Sequence, residues 1–232
     1  GHITLICASC SSALTPSDAS DLETDRTLDC HSCGQGGPPA AADEEALLWV
    51  LGAATMDEVN DRIDDQIEPW TIEAFHIAES GGAETETKTV YLEIHCGADG
   101  IGDELPLPTT AEAFWLFVDE LDDLAGRMDD SSNEAEEGSE EASDAALAAE
   151  VALAAATLAA SQPGEIARSE LAKAIDRASE AAAIAEHAAQ RVEALFTETS
   201  SLRAYSHALD ARASADAAVK TALVARTLKE TR

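Results

Sequence analysis

Lysine is almost missing from this chain. Of 232 residues only Lys88, Lys173, Lys220 and Lys229 are lysines, and Lys and Arg together number 14 against 46 Asp and Glu, a formal net charge of −32. A surface so poor in cations cannot neutralise many phosphates, and that neutralisation supplies most nucleic-acid affinity. Aromatics are only 4 %, so apolar burial has to come from aliphatic side chains, chiefly alanine. No GxSxG, HExxH, Walker A or dinucleotide fingerprint occurs. The six histidines are scattered, and carboxylates are so frequent that no pair stands out as acid and base. The expectation is a protein that is not an enzyme, with no catalytic residue to name. The apolar start, Ile3 to Cys7, is too short for a leader and has no basic flank, so no targeting segment is expected. The most apolar run, Ala145 to Ala160, is shorter than the ~20 residues a membrane span needs and contains Glu150. It is expected to be a buried helix, with no membrane partner.

The charge is unevenly spread. Residues 1–128 hold 27 acids and 4 bases, residues 129–144 hold 8 acids and no base, and residues 145–232 hold 11 acids and 10 bases. Periodic apolar positions run through most of the chain, which argues against disorder as the source of the charge. The composition, with abundant Asp, Glu, Ala and Thr and with Arg carrying most of the positive charge, resembles proteins of extreme halophiles, haloarchaea and their viruses especially. The physics fits that resemblance. At 1 M salt the screening length is about 3 Å, so crowded carboxylates repel only their nearest neighbours. The resemblance implies a high-salt cytoplasm or a virion as the location.

Four of the five cysteines form two CxxC pairs, Cys7 with Cys10 and Cys30 with Cys33, separated by 19 residues. That spacing is the pattern of a four-cysteine zinc site. Four thiolates close a tetrahedral shell and leave no position for a substrate. Gly34, directly after Cys33, suits a knuckle, whereas the first knuckle has Ser11 at that place. The segment 1–36 resembles a zinc ribbon with rubredoxin-type knuckles, which implies Zn2+ held by Cys7, Cys10, Cys30 and Cys33. An iron redox centre and an oxidised or empty thiol cluster are the alternatives. Ile3–Ile6 and Thr24–Asp29 are expected as strands entering the knuckles, with His31 exposed beside the site. Zinc ribbons often bind nucleic acid, but this one has Arg26 alone against Asp18, Asp21, Glu23, Asp25 and Asp29.

Residues 34–39 look like a linker by composition. Residues 43–128 are expected as an acidic α+β domain in the order ααββα. Asp43 caps a first helix, and Thr55 with Glu58 forms a capping box for a second. A hairpin follows, Trp70–Glu79 and Thr85–Cys96. Val90, Leu92, Ile94 and Cys96 face the core, and His76 and His95 are within possible reach across it. Residues 97–104 are expected as a Gly- and acid-rich loop, a weak candidate for a cation. Thr109 to Glu112 caps a helix with the apolar stripe Phe114, Phe117, Val118, Leu121, Leu124, Ala125 and Met128.

Residues 129–144 are expected as an acidic linker. Beyond it, residues 145–232 are expected as three helices, about 143–161, 165–197 and 201–229. The second carries a 4-3 repeat, Leu171, Ile175, Ala178, Ala182, Ala185, Ala189, Val192 and Phe196. The third repeats Ala208, Ala211, Ala215, Ala218, Ala222 and Ala225. This is coiled-coil patterning with alanine at the seam. The fold class is therefore α+β: a four-cysteine zinc ribbon, a small α+β domain and an Ala-rich helical bundle. The near-neutral helical half is expected to pack against copies of itself or a larger complex. Nucleic acid is the less favoured partner.

Overall fold

In the computed structural model, residues 3–14, 28–80 and 87–230 are described. The chain forms two compact units, Gly1–Ala125 and Gly126–Arg232.

The first unit begins with two small sheets. Strand β1 (Leu5–Cys7) pairs antiparallel with β2 (Ala13–Leu14) on one side and β5 (Pro39–Ala41) on the other. Strand β3 (Leu28–Asp29) pairs with β4 (Gly36–Gly37). Residues 34–39 are thus not a linker: they complete both knuckle sheets. Ala41 also exchanges two backbone hydrogen bonds with Thr109, at 2.6 and 3.0 Å. The expected strand over Thr24–Asp29 is described only at its end, since residues 15–27, including Asp18, Asp21, Glu23, Asp25 and Arg26, lie outside the described residues.

Helix α1 (Glu44–Leu51) starts where expected. Asp43 Oδ1 accepts from the Ala46 backbone N–H at 2.9 Å, while Oδ2 accepts from Thr4 N–H at 3.1 Å. One carboxylate thus caps the helix and holds the chain that enters β1. Asp43→Ala should lower stability by about 1–2 kcal/mol, the usual cost of a lost N-cap. Equilibrium urea unfolding measures it, and an unchanged midpoint would refute the double role. Helix α2 (Met56–Ile67) is capped by Thr55 Oγ1, which accepts from Glu58 N–H at 3.2 Å. The return arm of the capping box lands one residue early: Glu58 accepts from Ala54 N–H at 2.8 Å.

Three strands follow where two were expected. Strands β6 (Thr71–Ser80), β7 (Thr87–Cys96) and β8 (Asp99–Pro106) form one antiparallel sheet with β7 central. Residues 97–104, expected as a loop, are mostly strand, and the order after the ribbon is ααβββα. Glycine hid the strand in the sequence, but at two positions it is what the sheet requires. A Cβ at Gly100 would lie 2.8 Å from the His95 ring, and one at Gly102 would lie 2.9 Å from Tyr91 Oη. Both side chains lie over bare backbone and flank Glu93, which accepts from Tyr91 Oη and bonds His95 Nε2, each at 2.8 Å. His95 foremost, then Tyr91, holds the Glu93 carboxyl below its ordinary range. His76 stacks on Tyr91 with ring centroids 5.2 Å apart, and it pairs with Tyr91 in the ladder while His95 pairs with Thr71. The two histidines therefore do not form a site. Val90, Leu92 and Ile94 are fully buried, while Cys96 at the strand end is only half-buried.

Helix α3 (Ala111–Ala160) is the largest departure from expectation. Thr110 Oγ1 accepts from Ala113 N–H at 3.2 Å at its start. Phe114, Phe117, Val118, Leu121 and Ala125 are buried in the first unit, and Phe75 of β6 meets Phe114 with centroids 6.1 Å apart. The helix then continues without a break through residues 129–144, the expected linker. The reason is visible once the buried positions are marked. Met128, Ser131, Ala135, Gly138, Ala142, Ala145, Ala149, Ala152, Ala156 and Ala159 recur every three or four residues and are all buried. Serine, glycine and alanine read as linker residues by composition, but here they are the small seam of a close helix pair.

The second unit is completed by α4 (Glu165–Thr199) and α5 (Leu202–Glu230). All the expected seam alanines of both helices are buried. Helix α4 runs antiparallel to α3: Ser131 Oγ lies 3.1 Å from Thr199 Oγ1, and Arg191 donates to Glu141 at 2.9 Å. Helix α5 returns antiparallel to α4. Phe196 meets Tyr205 with ring centroids 4.8 Å apart, and Arg212 donates to both Glu186 and Glu193 at 2.7–2.9 Å. Arg212 accordingly holds both carboxyls below their ordinary range. The outward side of α3 beyond Asp144 is different in kind. An 18-residue window there reaches a mean hydropathy of 1.4, enough by length and composition to cross a membrane, yet only 33 % of it is buried. The expectation of a helix buried on most sides is thus not met by its own chain, which covers a single seam.

Candidate metal centre

The two knuckles have the same backbone hydrogen bonds. Ser11 N–H donates to Cys7 C=O at 2.8 Å, and Gly34 N–H donates to Cys30 C=O at 2.7 Å. Cys7 N–H donates to Ser12 C=O at 2.9 Å, and Cys30 N–H donates to Gln35 C=O at 3.0 Å. Each turn needs a left-handed residue four positions after its first cysteine. Gly34 supplies it with φ 68°, and Ser11 is held in the same region at φ 60°. The sequence departure at Ser11 therefore changes the residue but not the turn. A non-glycine residue in that region costs about 1–2 kcal/mol. Ser11→Gly is expected to stabilise the ribbon by roughly 0.5–1 kcal/mol, read as greater resistance of the bound metal to a chelator. Faster metal loss would show that the serine side chain is needed.

The two turns bring the four sulfurs together. Cys7 Sγ lies 3.8 Å from Cys33 Sγ, and Cys10 Sγ lies 3.6 Å from Cys30 Sγ. All four lie within 4.8 Å of one another. A tetrahedral ion with thiolates at about 2.3 Å has sulfur–sulfur edges of about 3.8 Å, so the cluster fits such an ion. Cys7 and Cys30 are buried and Cys10 and Cys33 exposed, so one sulfur of each knuckle faces inward. The electrostatics agree with the geometry. Cys10 is lowered to about 6, first by the Ser12 hydroxyl and then by the Ser12 backbone N–H. Cys33 is pushed up to about 12: the Gln35 backbone N–H lowers it, but desolvation and the three neighbouring sulfurs outweigh that. Packed thiols resist losing their last protons, and a cation at the centre removes that resistance.

All four sequence-predicted ligands converge, and among the described residues no other group of three or more His, Cys, Asp or Glu is placed to hold a metal ion. No residue of the 97–104 segment belongs to such a group. His31 is exposed beside the second knuckle. What sequence reasoning missed is the support: the short strands β2, β4 and β5 that brace the knuckles, and Asp43 reaching back to Thr4. Strands of two or three residues have no periodicity, so no pattern could have shown them. Comparison with known protein families, with curated proteins and with solved structures finds no match to this chain.

Proposed function

We propose that this chain is a non-enzymatic structural or interaction protein of a halophile. A zinc ion in the four-cysteine centre stabilises the ribbon, and residues 145–232 join a multi-subunit assembly, such as a virion or another large particle. The high-salt cytoplasm or the virion is its location in this reading. Zinc suits a closed four-thiolate site, which has no open position for substrate chemistry. The observation that carries the assembly reading is the inversion of the helical unit. Alanines occupy its interior seams, while Leu147, Val151, Leu158, Ile166, Leu209 and Leu223 face outward. Large aliphatics placed outside a seam made mostly of alanine, in the near-neutral part of a chain of charge −32, are what a protein-covered surface would carry.

The test is purification of the tagged chain, at high salt, from cells that make it. Stoichiometric protein partners or homo-oligomers support the reading. Specific, salt-resistant retention of duplex or single-stranded nucleic acid would overturn it in favour of a zinc-ribbon transcription or nucleic-acid accessory protein. The halophilic part has its own test. Diluting KCl from 1 M to about 0.1 M lengthens screening from about 3 to about 10 Å and exposes the acidic unit to its own repulsion. The melting temperature is expected to fall by roughly 10 °C or more, equivalent to several kcal/mol at this chain length. A constant or rising value would refute salt adaptation.

A further inference from the structure

We propose that Ser12 anchors Cys10 in the metal centre and thereby leaves Cys33 as the thiolate at which the centre opens, the one that soft electrophiles modify. The proposal rests on the zinc reading of the four-cysteine centre. Four thiolates around a divalent cation leave two negative charges in excess. The described residues of the ribbon, 3–14 and 28–41, include no Lys or Arg to offset them. Hydrogen-bond donors take that part, and the two knuckles do not supply them equally.

The backbone treats the two outer sulfurs alike. The residue two positions after each outer cysteine gives its N–H to that sulfur, Ser12 to Cys10 and Gln35 to Cys33. The side chains differ. Ser12 Oγ lies 3.3 Å from Cys10 Sγ. Once the thiol has lost its proton to a bound cation, only the hydroxyl can donate, and the contact becomes a charge-assisted O–H···S bond. Beyond the Gln35 N–H, Cys33 meets only the other three sulfurs. Ser12 is half-buried, whereas Gln35 is exposed. Access does not separate the two candidates, since Cys10 and Cys33 are both exposed while Cys7 and Cys30 are buried. The hydroxyl does.

A hydrogen bond draws electron density from the sulfur it reaches, and a thiolate attacks electrophiles through that density. The same bond fixes the Cys10 side chain against leaving the ion. Outer partners of metal ligands commonly change affinity or reactivity by about 10–100-fold, and an exposed contact belongs at the low end. Attack of Cys33 Sγ on a maleimide forms one S–C bond and opens the C=C bond, and water supplies the remaining proton. The neutral thioether is a poor ligand, so the ion departs after modification. Ser12 acts in this through Cys10 and is a positioning residue.

The experiment treats the zinc-loaded full chain in concentrated KCl with N-ethylmaleimide. Timed peptide mass mapping follows each cysteine, and a chromogenic chelator reports released ion. Cys33 should react about tenfold faster than Cys10, with ion release tracking Cys33. Ser12→Ala should raise the Cys10 rate about tenfold at an unchanged Cys33 rate. Ser12→Thr, which keeps the hydroxyl, should preserve the parent order, and Gln35→Ser, which supplies one beside Cys33, should slow Cys33. A ribbon merely loosened by substitution would instead accelerate all four cysteines together. That result in Ser12→Ala, equal rates at Cys10 and Cys33, reaction first at Cys10, Ser12→Thr behaving as alanine, or Gln35→Ser leaving Cys33 unchanged would each overturn the proposal and leave the zinc reading intact. A parent chain that takes up no stoichiometric zinc would overturn both.

Discussion

Cys30→Ser is expected to abolish stoichiometric metal binding and to unfold the ribbon, with the Ala-rich helices left standing. Four thiolates share a binding free energy of roughly 10–16 kcal/mol in structural zinc sites, so one ligand accounts for on the order of 3–4 kcal/mol. The ribbon has little else to hold it. Its strands are two or three residues long, and its buried apolar side chains are few, Leu5, Leu14 and Leu28 among them. Segments this small rarely fold without a staple. The measurement is metal content per chain together with amide hydrogen exchange. Protection should vanish at Leu5–Cys7 and Leu28–Asp29 and persist in α4 and α5. A strong chelator should do the same to the parent chain. One ion per chain retained by the variant, with protection unchanged, would refute the four-cysteine centre.

The second large effect is expected at Gly138. A Cβ there would lie 2.5 Å from Val192 Cγ2, closer than real contacts allow. Gly138→Ala gains about 1 kcal/mol in helix propensity but meets a stiff β-branched side chain, and overpacking costs about 1–3 kcal/mol. The alanine variant should therefore be neutral to mildly destabilising. Gly138→Leu forces the helices apart and should cost about 3 kcal/mol or more, a large share of the 5–15 kcal/mol that ordinary domains possess, roughly. Val192→Ala opens space at the crossing and should recover part of the Gly138→Ala loss, so the two substitutions should be non-additive. Thermal unfolding followed by helical circular dichroism measures both. Full stability of Gly138→Leu would show that α3 and α4 do not approach at this point.

These two sites differ in how far they could be read in advance. The four-cysteine centre was legible because its chemistry is local. Two CxxC spacings suffice to name all four ligands, whatever braces them. The seam alanines of α4 and α5 were legible for a related reason, since long helices keep strict periodicity. Gly138 was not legible. It sits in a run of Asp, Glu, Ser, Gly and Asn that composition assigns to a linker, and its value depends on Val192, 54 residues away. The third strand was hidden in the same way. Gly100 and Gly102 look like loop residues until the His95 and Tyr91 side chains of the neighbouring strand are seen lying over them. In both places glycine marks a close approach by a side chain of the neighbouring element and not a turn.

The metal ligands, the acidic character of residues 1–144 and the alanine seams all follow from the sequence alone, because cysteine spacing, charge count and heptad period are properties of short or regular stretches. It took the folded chain to show that residues 34–41 close the ribbon, that residues 99–106 form a strand, and that the acidic stretch is helix. The same holds for which side chains of the helical unit face out. Each of these depends on what a residue packs against. Leu147, Val151 and Leu158 read as core by hydropathy, yet α4 approaches α3 along small residues and leaves the large ones on the opposite side.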